Sequence, residues 1–174
     1  MNWYIVNKDY VEYLIQIDSK VGYIEYGSRL KLYIGILLEV NEQKYYVPIS
    51  SFKEKHRHMS NSVDFHKIED SETGQIYAVI NLNNMIPVPD SQITMLKYDE
   101  IQKYRAFSND KARVDYIYLL QKEKAIIDQI SSVIDRKASQ LYIKYKQNPK
   151  SKLSQRCCNF PELEKAAKGY SDEF

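Results

Sequence analysis

Two hydroxyl groups and an ammonium group follow one another in the segment Pro48-Ile-Ser-Ser-Phe-Lys53. We predict that Ser50, Ser51 and Lys53 leave the end of a strand together, where they could hold a phosphate. Metal-free RNA cleavage suits such groups, because the RNA supplies its own nucleophile, the 2′-OH. The protein then has to assist deprotonation of that hydroxyl, stabilise the charge on the five-coordinate phosphorane and protonate the leaving 5′ oxygen. Two serines after a strand are also common turn formers, so the pattern alone leaves both interpretations open.

A dense run of positive charge lies in residues 136–156, although the formal net charge of the chain is only +2. Like charges so close together repel one another, and a polyanion such as nucleic acid offsets that repulsion while releasing its condensed counterions. A solvated helix face is the alternative interpretation. The run has no acidic residue, and its predicted RNA-binding residues are Arg136, Lys137, Lys144, Lys146, Lys150, Lys152 and Arg156.

A second basic cluster follows the two serines, and Glu54 is its only acidic member. We predict that Lys55, His56 and Arg57 of this cluster bind RNA. His56 and His58 also suggest a metal site, but zinc and iron sites need three or four ligands, and basic neighbours repel a cation. These observations disfavour a metal site, and we predict that the protein uses no metal and no cofactor, with a metal-dependent nuclease as an alternative.

Several kinds of enzyme find no support in the sequence. The chain has no G-x-x-x-x-G-K-[ST] phosphate loop, no G-x-G-x-x-G fingerprint and no G-x-S-x-G nucleophile elbow. Its acidic residues are scattered, whereas a two-metal nuclease needs converging carboxylates. Three interpretations stay open at this point: a metal-free ribonuclease, a noncatalytic RNA-binding module, and a metal-dependent nuclease that uses His56 and His58.

The composition is that of a globular protein. The 174 residues predict one domain, at roughly 100–200 residues per domain. Hydrophobic residues make up 44% and charged residues 28%, and no apolar run approaches the roughly 20 residues of a membrane span. Cys157 and Cys158 are adjacent, so they cannot staple distant segments, which fits a reducing cytoplasm.

The elements that must position these residues can be predicted from periodicity and from Gly and Pro. A helix should begin at Asp9, which resembles a capping box with Glu12, and end near Asp18. Residues 50–62 are polar and should form an exposed loop. Strands are predicted at residues 2–6, 31–40, 44–49, 76–82 and 85–89, the second and third forming a hairpin around Asn41-Glu-Gln.

The second half of the chain is predicted to be helical. Residues 110–147 contain no Gly or Pro, which predicts one long helix or two with a break. A last short helix should begin at Asn159, with Pro161 in its first turn and Gly169 at its end. This order predicts an α+β fold, in which helices flank a strongly twisted antiparallel sheet.

Five short motifs in register give the chain a family resemblance. They are Trp3-Tyr4 through Tyr10 and Tyr13-Leu14; Lys31-x-Tyr-Ile-Gly-Ile-x-Leu-Glu39; Lys44-Tyr-x-x-Pro48-x-Ser-Ser51-x-Lys53; Ile80-Asn-Leu-x-x-Met85-Ile-Pro87; and Cys158-Asn-Phe-x-x-Leu163-Glu. With these motifs the chain resembles, over nearly its whole length, the ToxN/AbiQ family, the endoribonuclease toxins of type III toxin–antitoxin systems.

The resemblance implies one toxin domain over residues 1–174, with a fold similar to that of the MazF/Kid toxins. It also implies a metal-independent, sequence-selective endoribonuclease that leaves a 2′,3′-cyclic phosphate. The family's active-site positions correspond to Tyr10, Lys31, Ser50, Ser51 and Lys53, and Ser51 is the strongest candidate among them.

The resemblance further implies partners. The family's antitoxin is a short repeated RNA folded as a pseudoknot, which the toxin cuts from a longer precursor and which then blocks the active site. Cellular or phage RNA is the expected substrate. In related systems protein and RNA alternate in a closed assembly, and its disruption during phage infection frees the toxin.

Overall fold

The computed structural model describes residues 1–22 and 31–170. Within them lie eight strands and four α-helices, in an α+β arrangement that confirms the predicted fold class. The strands are β1 (Asn2–Val6), β2 (Tyr33–Gly35), β3 (Glu39–Val40), β4 (Gln43–Ser51), β5 (Phe65–Glu69), β6 (Ile76–Asn81), β7 (Ile86–Pro87) and β8 (Ile93–Met95). The helices are α1 (Lys8–Ile17), α2 (Asp110–Gln147), α3 (Lys152–Arg156) and α4 (Phe160–Gly169).

The long strand β4 organises the antiparallel sheet, whose order is β5-β6-β4-β2-β1-β8. Its first half pairs with β3 and β7, and its second half pairs with β2 and β6. Every strand has two edges, and β4 is long enough for its four short partners to pair with it one after another along its length.

The predicted strand over residues 31–40 is interrupted, which corrects the sequence-based prediction. Its first part is β2, which ends at Gly35, and its second part is β3, which forms the predicted hairpin with β4. A Cβ atom at Gly35 would overlap the ring of Tyr46, so the close approach requires a glycine at this position. The hairpin turn has positive φ at Asn41 and Glu42, the backbone twist that favours two-residue hairpins.

The predicted exposed loop over residues 50–62 is also different in the structure. Ser50 and Ser51 still belong to β4, because they pair with Val79 and Ala78 of β6. A short 3₁₀ helix, Glu54–His58, follows. Strands β5 and β8 were not predicted, since β5 is rich in charged residues and β8 has only three residues.

The predicted helices are present, with shifted ends. Helix α1 is capped by Asn7, whose side chain accepts from the backbone N–H of Asp9, so the capping box predicted at Asp9 is wrong. Helix α2 is one continuous helix, and α4 begins after the Asn159 cap as predicted. The short helix α3, capped by Ser151, was not predicted.

One hydrophobic core joins the sheet to α1, α2 and α4. Two tyrosines connect this core to α4. The hydroxyls of Tyr45 and Tyr142 both donate to Glu164 Oε1, at 2.6 and 2.7 Å, and their rings contact Phe160. Among the helices of the described residues, none is long and apolar enough to cross a membrane.

Candidate functional site

A cluster of three polar side chains lies where β2, β4 and β6 adjoin. Lys31 Nζ donates to Ser50 Oγ at 3.4 Å, and Asn81 Nδ2 donates to the same oxygen at 3.5 Å. Lys31 precedes β2, Ser50 lies near the end of β4, and Asn81 ends β6. The sheet therefore brings together two of the predicted site residues, an ammonium and a hydroxyl, and adds an amide to them.

Ser51 lies on the opposite face of β4 from Ser50, because successive side chains alternate across a strand. It is exposed, and it lines a small cavity together with Ile49, its neighbour two residues earlier on the same face. Lys53 is exposed two residues beyond the end of the strand. The expectation that both serines leave the strand side by side is thus wrong: the two hydroxyls flank the end of β4.

His56 supports the segment after the serines and does not face solvent. Its side chain is only 5% exposed, Nδ1 accepts from the backbone N–H of Lys53 at 3.0 Å, and its ring lies between Phe52 and Phe65. Burial, with the nearby Lys55 and Lys53 charges, lowers the pKa of His56. The fold therefore uses Nδ1 of His56 and two aromatic contacts to hold this segment in place, and RNA binding by His56 stays a prediction.

The other basic residues of this segment point outward. Lys55 and Arg57 are exposed, and Arg57 Nε donates to Glu54 at 2.7 Å while its guanidinium lies over the Phe52 ring at 5.4 Å. Within residues 1–22 and 31–170, no three His, Cys, Asp or Glu side chains converge as metal ligands would.

Tyr10 lies in the core and not at the end of β4. Its ring is fully buried and contacts Tyr170 edge-on, with centroids 4.9 Å apart, and its hydroxyl donates to the Pro87 carbonyl at 2.8 Å. Pro87 lies opposite Tyr45, six residues before Ser51, which is about 20 Å along a strand. Burial raises the pKa of Tyr10 well above its usual value. The structure thus does not bring Tyr10 to the other predicted site residues.

The basic run over residues 136–156 occupies the end of α2, the connection that follows and α3. Most of its charged side chains are exposed, namely Arg136, Lys144, Lys146, Lys150, Lys152 and Arg156. Buried positions on the same helix, such as Leu141, Tyr142 and Tyr145, face the core, so the charges form an outer face. The structure therefore places most of the predicted RNA-binding charges on the surface, and their contact with RNA stays a prediction.

Two residues of the run contact β5 or the residue just before it. Arg156 forms an ion pair with the buried Asp64 at 2.8 Å and remains 59% exposed. Lys137 is half-buried, and its Nζ donates to His66 Nδ1 at 2.8 Å. Burial and the Lys137 charge together lower the pKa of His66 to about 4, and burial lowers the pKa of Lys137. The ammonium of Lys137 is thus directed at β5, a contact that the sequence did not predict, and RNA binding by Lys137 stays a prediction.

Asn81 is a site residue that sequence reasoning missed. It appeared only within the motif Ile80-Asn-Leu, as part of a predicted strand. The available signal was a polar residue at the end of an otherwise apolar strand, which is where strand-end side chains meet. Its contact with Ser50 depends on the pairing of β4 with β6, which the sequence does not specify.

The chain is similar to known toxins over nearly its whole length. The family described as Toxin ToxN, type III toxin-antitoxin system, matches residues 2–168. Endoribonuclease ToxN of Bacillus thuringiensis subsp. kurstaki is 28% identical over 171 residues, which cover 98% of this chain and 84% of the relative. Endoribonuclease AbiQ of Lactococcus lactis subsp. lactis is 26% identical over 180 residues, covering 98% and 90% respectively. These matches confirm the family resemblance.

Three solved structures have a fold similar to that of this chain. AbiQ, a lactococcal anti-phage endoribonuclease of a type III toxin–antitoxin system, has a TM-score of 0.79 and 25% identity, covering 96% of this chain and 95% of its own. A protein from a bacterial antiviral system regulated by a processed non-coding RNA has the same TM-score and identity, covering 99% of this chain and 100% of its own. A toxin selectively inhibited by a non-coding RNA pseudoknot also scores 0.79, at 23% identity and 99% and 98% coverage, and it supports the fold.

Proposed function

This chain belongs to the ToxN family of type III toxin–antitoxin systems, and from that membership we propose that the end of β4 is its site of RNA cleavage. It is an endoribonuclease toxin, as its relatives are. Its substrate is RNA, and its antitoxin is a non-coding RNA pseudoknot. One observation carries the location of the site: Lys31, Ser50 and Asn81 meet at the end of β4, the strand that ends with Ser51 and is followed by Lys53.

The reaction we propose needs no metal. The 2′-OH of the RNA attacks the adjacent phosphorus and the 5′ oxygen leaves, so the product ends in a 2′,3′-cyclic phosphate. The ammonium groups of Lys31 and Lys53 would stabilise the negative charge of the phosphorane, which is where preformed positive charge lowers the barrier most. Ser51, exposed at the end of the strand, would hydrogen-bond a phosphate oxygen or pass a proton.

The contacts among Lys31, Ser50 and Asn81 also restrict the Lys31 side chain before RNA binds. A lysine side chain is flexible, and holding it costs entropy. Ser50 Oγ accepts from Lys31 within the folded chain, so part of that cost is met before RNA binds. Asn81 fixes the position of the same oxygen through its amide. Ser50 would therefore orient Lys31, whereas Ser51 would contact the phosphate.

The antitoxin would bind a wider surface than the cleavage site. The exposed face of α2 and α3 carries most of the basic run, and Arg156 and Lys137 tie this face to Asp64 and to β5, the strand beside β6. An RNA that covers both the basic face and the end of β4 would block the site while its phosphates neutralise the run. A closed assembly of alternating protein and RNA is consistent with such an extended contact.

We further propose that residues 1–174 form one toxin domain, since a single core includes residues from Trp3 to Ala167. We place the protein in the cytoplasm. Both cysteines are free and buried, and burial raises the pKa of Cys157 to about 11 and that of Cys158 further. Such thiols are poor disulfide formers, which suits a reducing compartment.

The test is RNA cleavage by the purified protein in EDTA, with identification of the product ends. We expect cyclic phosphate ends from the wild-type protein and at least a hundredfold slower cleavage by Ser51→Ala. Ser132→Ala, which removes an exposed hydroxyl from α2, is the matched control and should cleave normally. Cleavage that starts only when a divalent metal is added would contradict the mechanism, and RNA binding without any cleavage would indicate a noncatalytic module.

A further inference from the structure

Glu123 of α2 carries a buried carboxyl group. The residue is only 6% exposed, and within residues 1–22 and 31–170 it makes no hydrogen bond or ion pair. The buried Asp64 behaves differently, because it accepts from Ser62 at 2.7 Å and from Arg156 at 2.8 Å. Burying an unpaired carboxylate is costly, so the position of Glu123 calls for a reason.

Glu123 and Ser51 line the same cavity. The cavity has a volume of about 80 Å³, and apolar side chains of β1, β4, β6 and α2 form most of its wall. Its polar lining residues are Ser51, Tyr116 and Glu123. A space of this size holds water, because one water needs only about 10–15 Å³ of such volume. Water in this space is available to both the carboxyl group of Glu123 and the hydroxyl of Ser51.

The surroundings of Glu123 shift the pH range in which its carboxyl group titrates towards neutral pH. Burial raises the pKa of Glu123 to about 7. Tyr116 is the other titratable residue of the cavity wall. Burial raises its pKa, although the Arg105 guanidinium, which lies over its ring at 4.1 Å, acts to lower it. The residues that β1, β4 and β6 contribute to the wall are Trp3, Ile49, Ser51 and Ala78, which do not titrate near neutral pH. An acceptor with a pKa close to the working pH is well suited to proton transfer.

We propose that Glu123 is a positioning residue that acts on RNA cleavage through Ser51, accepting the serine's hydroxyl proton by way of water in the cavity they share. This inference rests on the proposed function of Ser51. Ser51 Oγ takes the proton of the RNA 2′-OH while its own proton passes through the water to the Glu123 carboxylate. The O2′–P bond forms, the P–O5′ bond breaks, and the leaving O5′ takes a proton from the ammonium of Lys53. Solvent then removes the proton from Glu123 and restores that of Lys53.

The experiment compares wild-type protein, Glu123→Gln, Glu123→Asp and Ser51→Ala in single-turnover cleavage of a short RNA between pH 5.5 and 8.5. For the wild type, we expect the rate to rise with pH to a midpoint near 7. Glu123→Gln should cleave at least tenfold more slowly, with that rise flattened and with RNA affinity unchanged. Glu123→Asp should keep the rise at a reduced rate. Glu72→Gln changes an exposed carboxyl and is the matched control.

The outcomes separate this inference from the proposed function. If the wild type does not cleave, or if Ser51→Ala cleaves normally, the proposed site fails. If those two results hold but Glu123→Gln shows the wild-type rate and pH midpoint, only the role of Glu123 is overturned. Should Glu123→Gln not fold, the carbon-13 shift of the Glu123 carboxyl is titrated in the wild type. A carboxyl midpoint within half a pH unit of the cleavage midpoint supports the inference, and a larger difference overturns it.

Discussion

The ammonium of Lys31 lies 3.4 Å from the hydroxyl oxygen of Ser50, which joins the start of β2 to the end of β4. The two residues are 19 positions apart in sequence, and the pairing of Tyr33 with Pro48 and of Ile34 with Val47 brings them together. The hydrogen bond sits at the proposed cleavage site, so its energetic coupling can be measured through the reaction.

Lys31→Ala should slow single-turnover cleavage by about 10²–10³-fold, as loss of a group that stabilises transition-state charge does. Ser50→Ala should cost about tenfold. If Ser50 acts by orienting Lys31, the double variant should be no slower than Lys31→Ala alone. If the fold-reduction in the double variant equals the product of the two single fold-reductions, the two residues act independently. Lys31→Arg keeps the charge, so a nearly normal rate would indicate an electrostatic role.

Tyr10→Phe tests the placement of the phenol in the core. It removes the hydrogen bond to the Pro87 carbonyl at 2.8 Å, so we expect a loss of about 1 kcal/mol in the free energy of unfolding. Cleavage of RNA should stay within twofold of the wild type. Denaturant unfolding and single-turnover kinetics measure the two effects separately, and Tyr118→Phe, at an exposed position on α2, is the control. A fall in cleavage at unchanged stability would instead place Tyr10 in the reaction.

Replacing Lys144, Lys146, Lys150 and Lys152 with Gln tests the basic run. For every lysine that neutralises a phosphate, its replacement should reduce the slope of log K against log salt by about 0.7–0.9. We therefore expect antitoxin binding to weaken and its slope to fall by up to about 3, while cleavage of a short unstructured RNA changes little. The control replaces the exposed Lys97, Lys103, Lys111 and Lys122 with Gln, which removes the same charge elsewhere. If both sets of substitutions change antitoxin affinity and its salt slope equally, the basic run is only a solvated helix face.

His66 should make stability depend on pH. Its pKa is about 4 in the folded chain against an ordinary 6.5, so between those values the unfolded chain binds more protons. The free energy of unfolding is therefore unaffected by this titration above pH 6.5, and it decreases as the pH falls towards 4. We expect the wild type to lose about 1–2 kcal/mol relative to His66→Gln over this range.

The control for this measurement is His58→Gln, at an exposed position of the 3₁₀ helix. Glu123 gives the opposite pH dependence. Its pKa is raised to about 7 in the folded chain, so its contribution to the free energy of unfolding is present at low pH and is lost as the pH rises to 7. The two variants must therefore be compared with the wild type at each pH. A pH dependence that is the same for His66→Gln and the wild type would contradict the low pKa of His66.

The sequence by itself determined the elements whose signals are local. The length of α2 followed from residues without Gly or Pro, the start of α4 from the Asn159 cap, and the β3–β4 turn from Asn41. Helix periodicity and capping depend on neighbours within a few positions, so one sequence reports them directly. The five motifs in register also determined the family, because their order along the chain is itself sequence information.

Tertiary structure alone decided which candidate residues meet. Lys31, Ser50 and Asn81 are joined by the register of β2, β4 and β6, and that register depends on burial and on strand partners far away in sequence. Tyr10 and His56 carry groups suited to catalysis or RNA contact, yet packing turned both inward. Glu123 resembles any exposed helix glutamate in sequence, and only the sheet packed against α2 places it in a cavity with Ser51. Side-chain chemistry can be seen in the sequence, whereas proximity depends on long-range packing that composition and spacing do not encode.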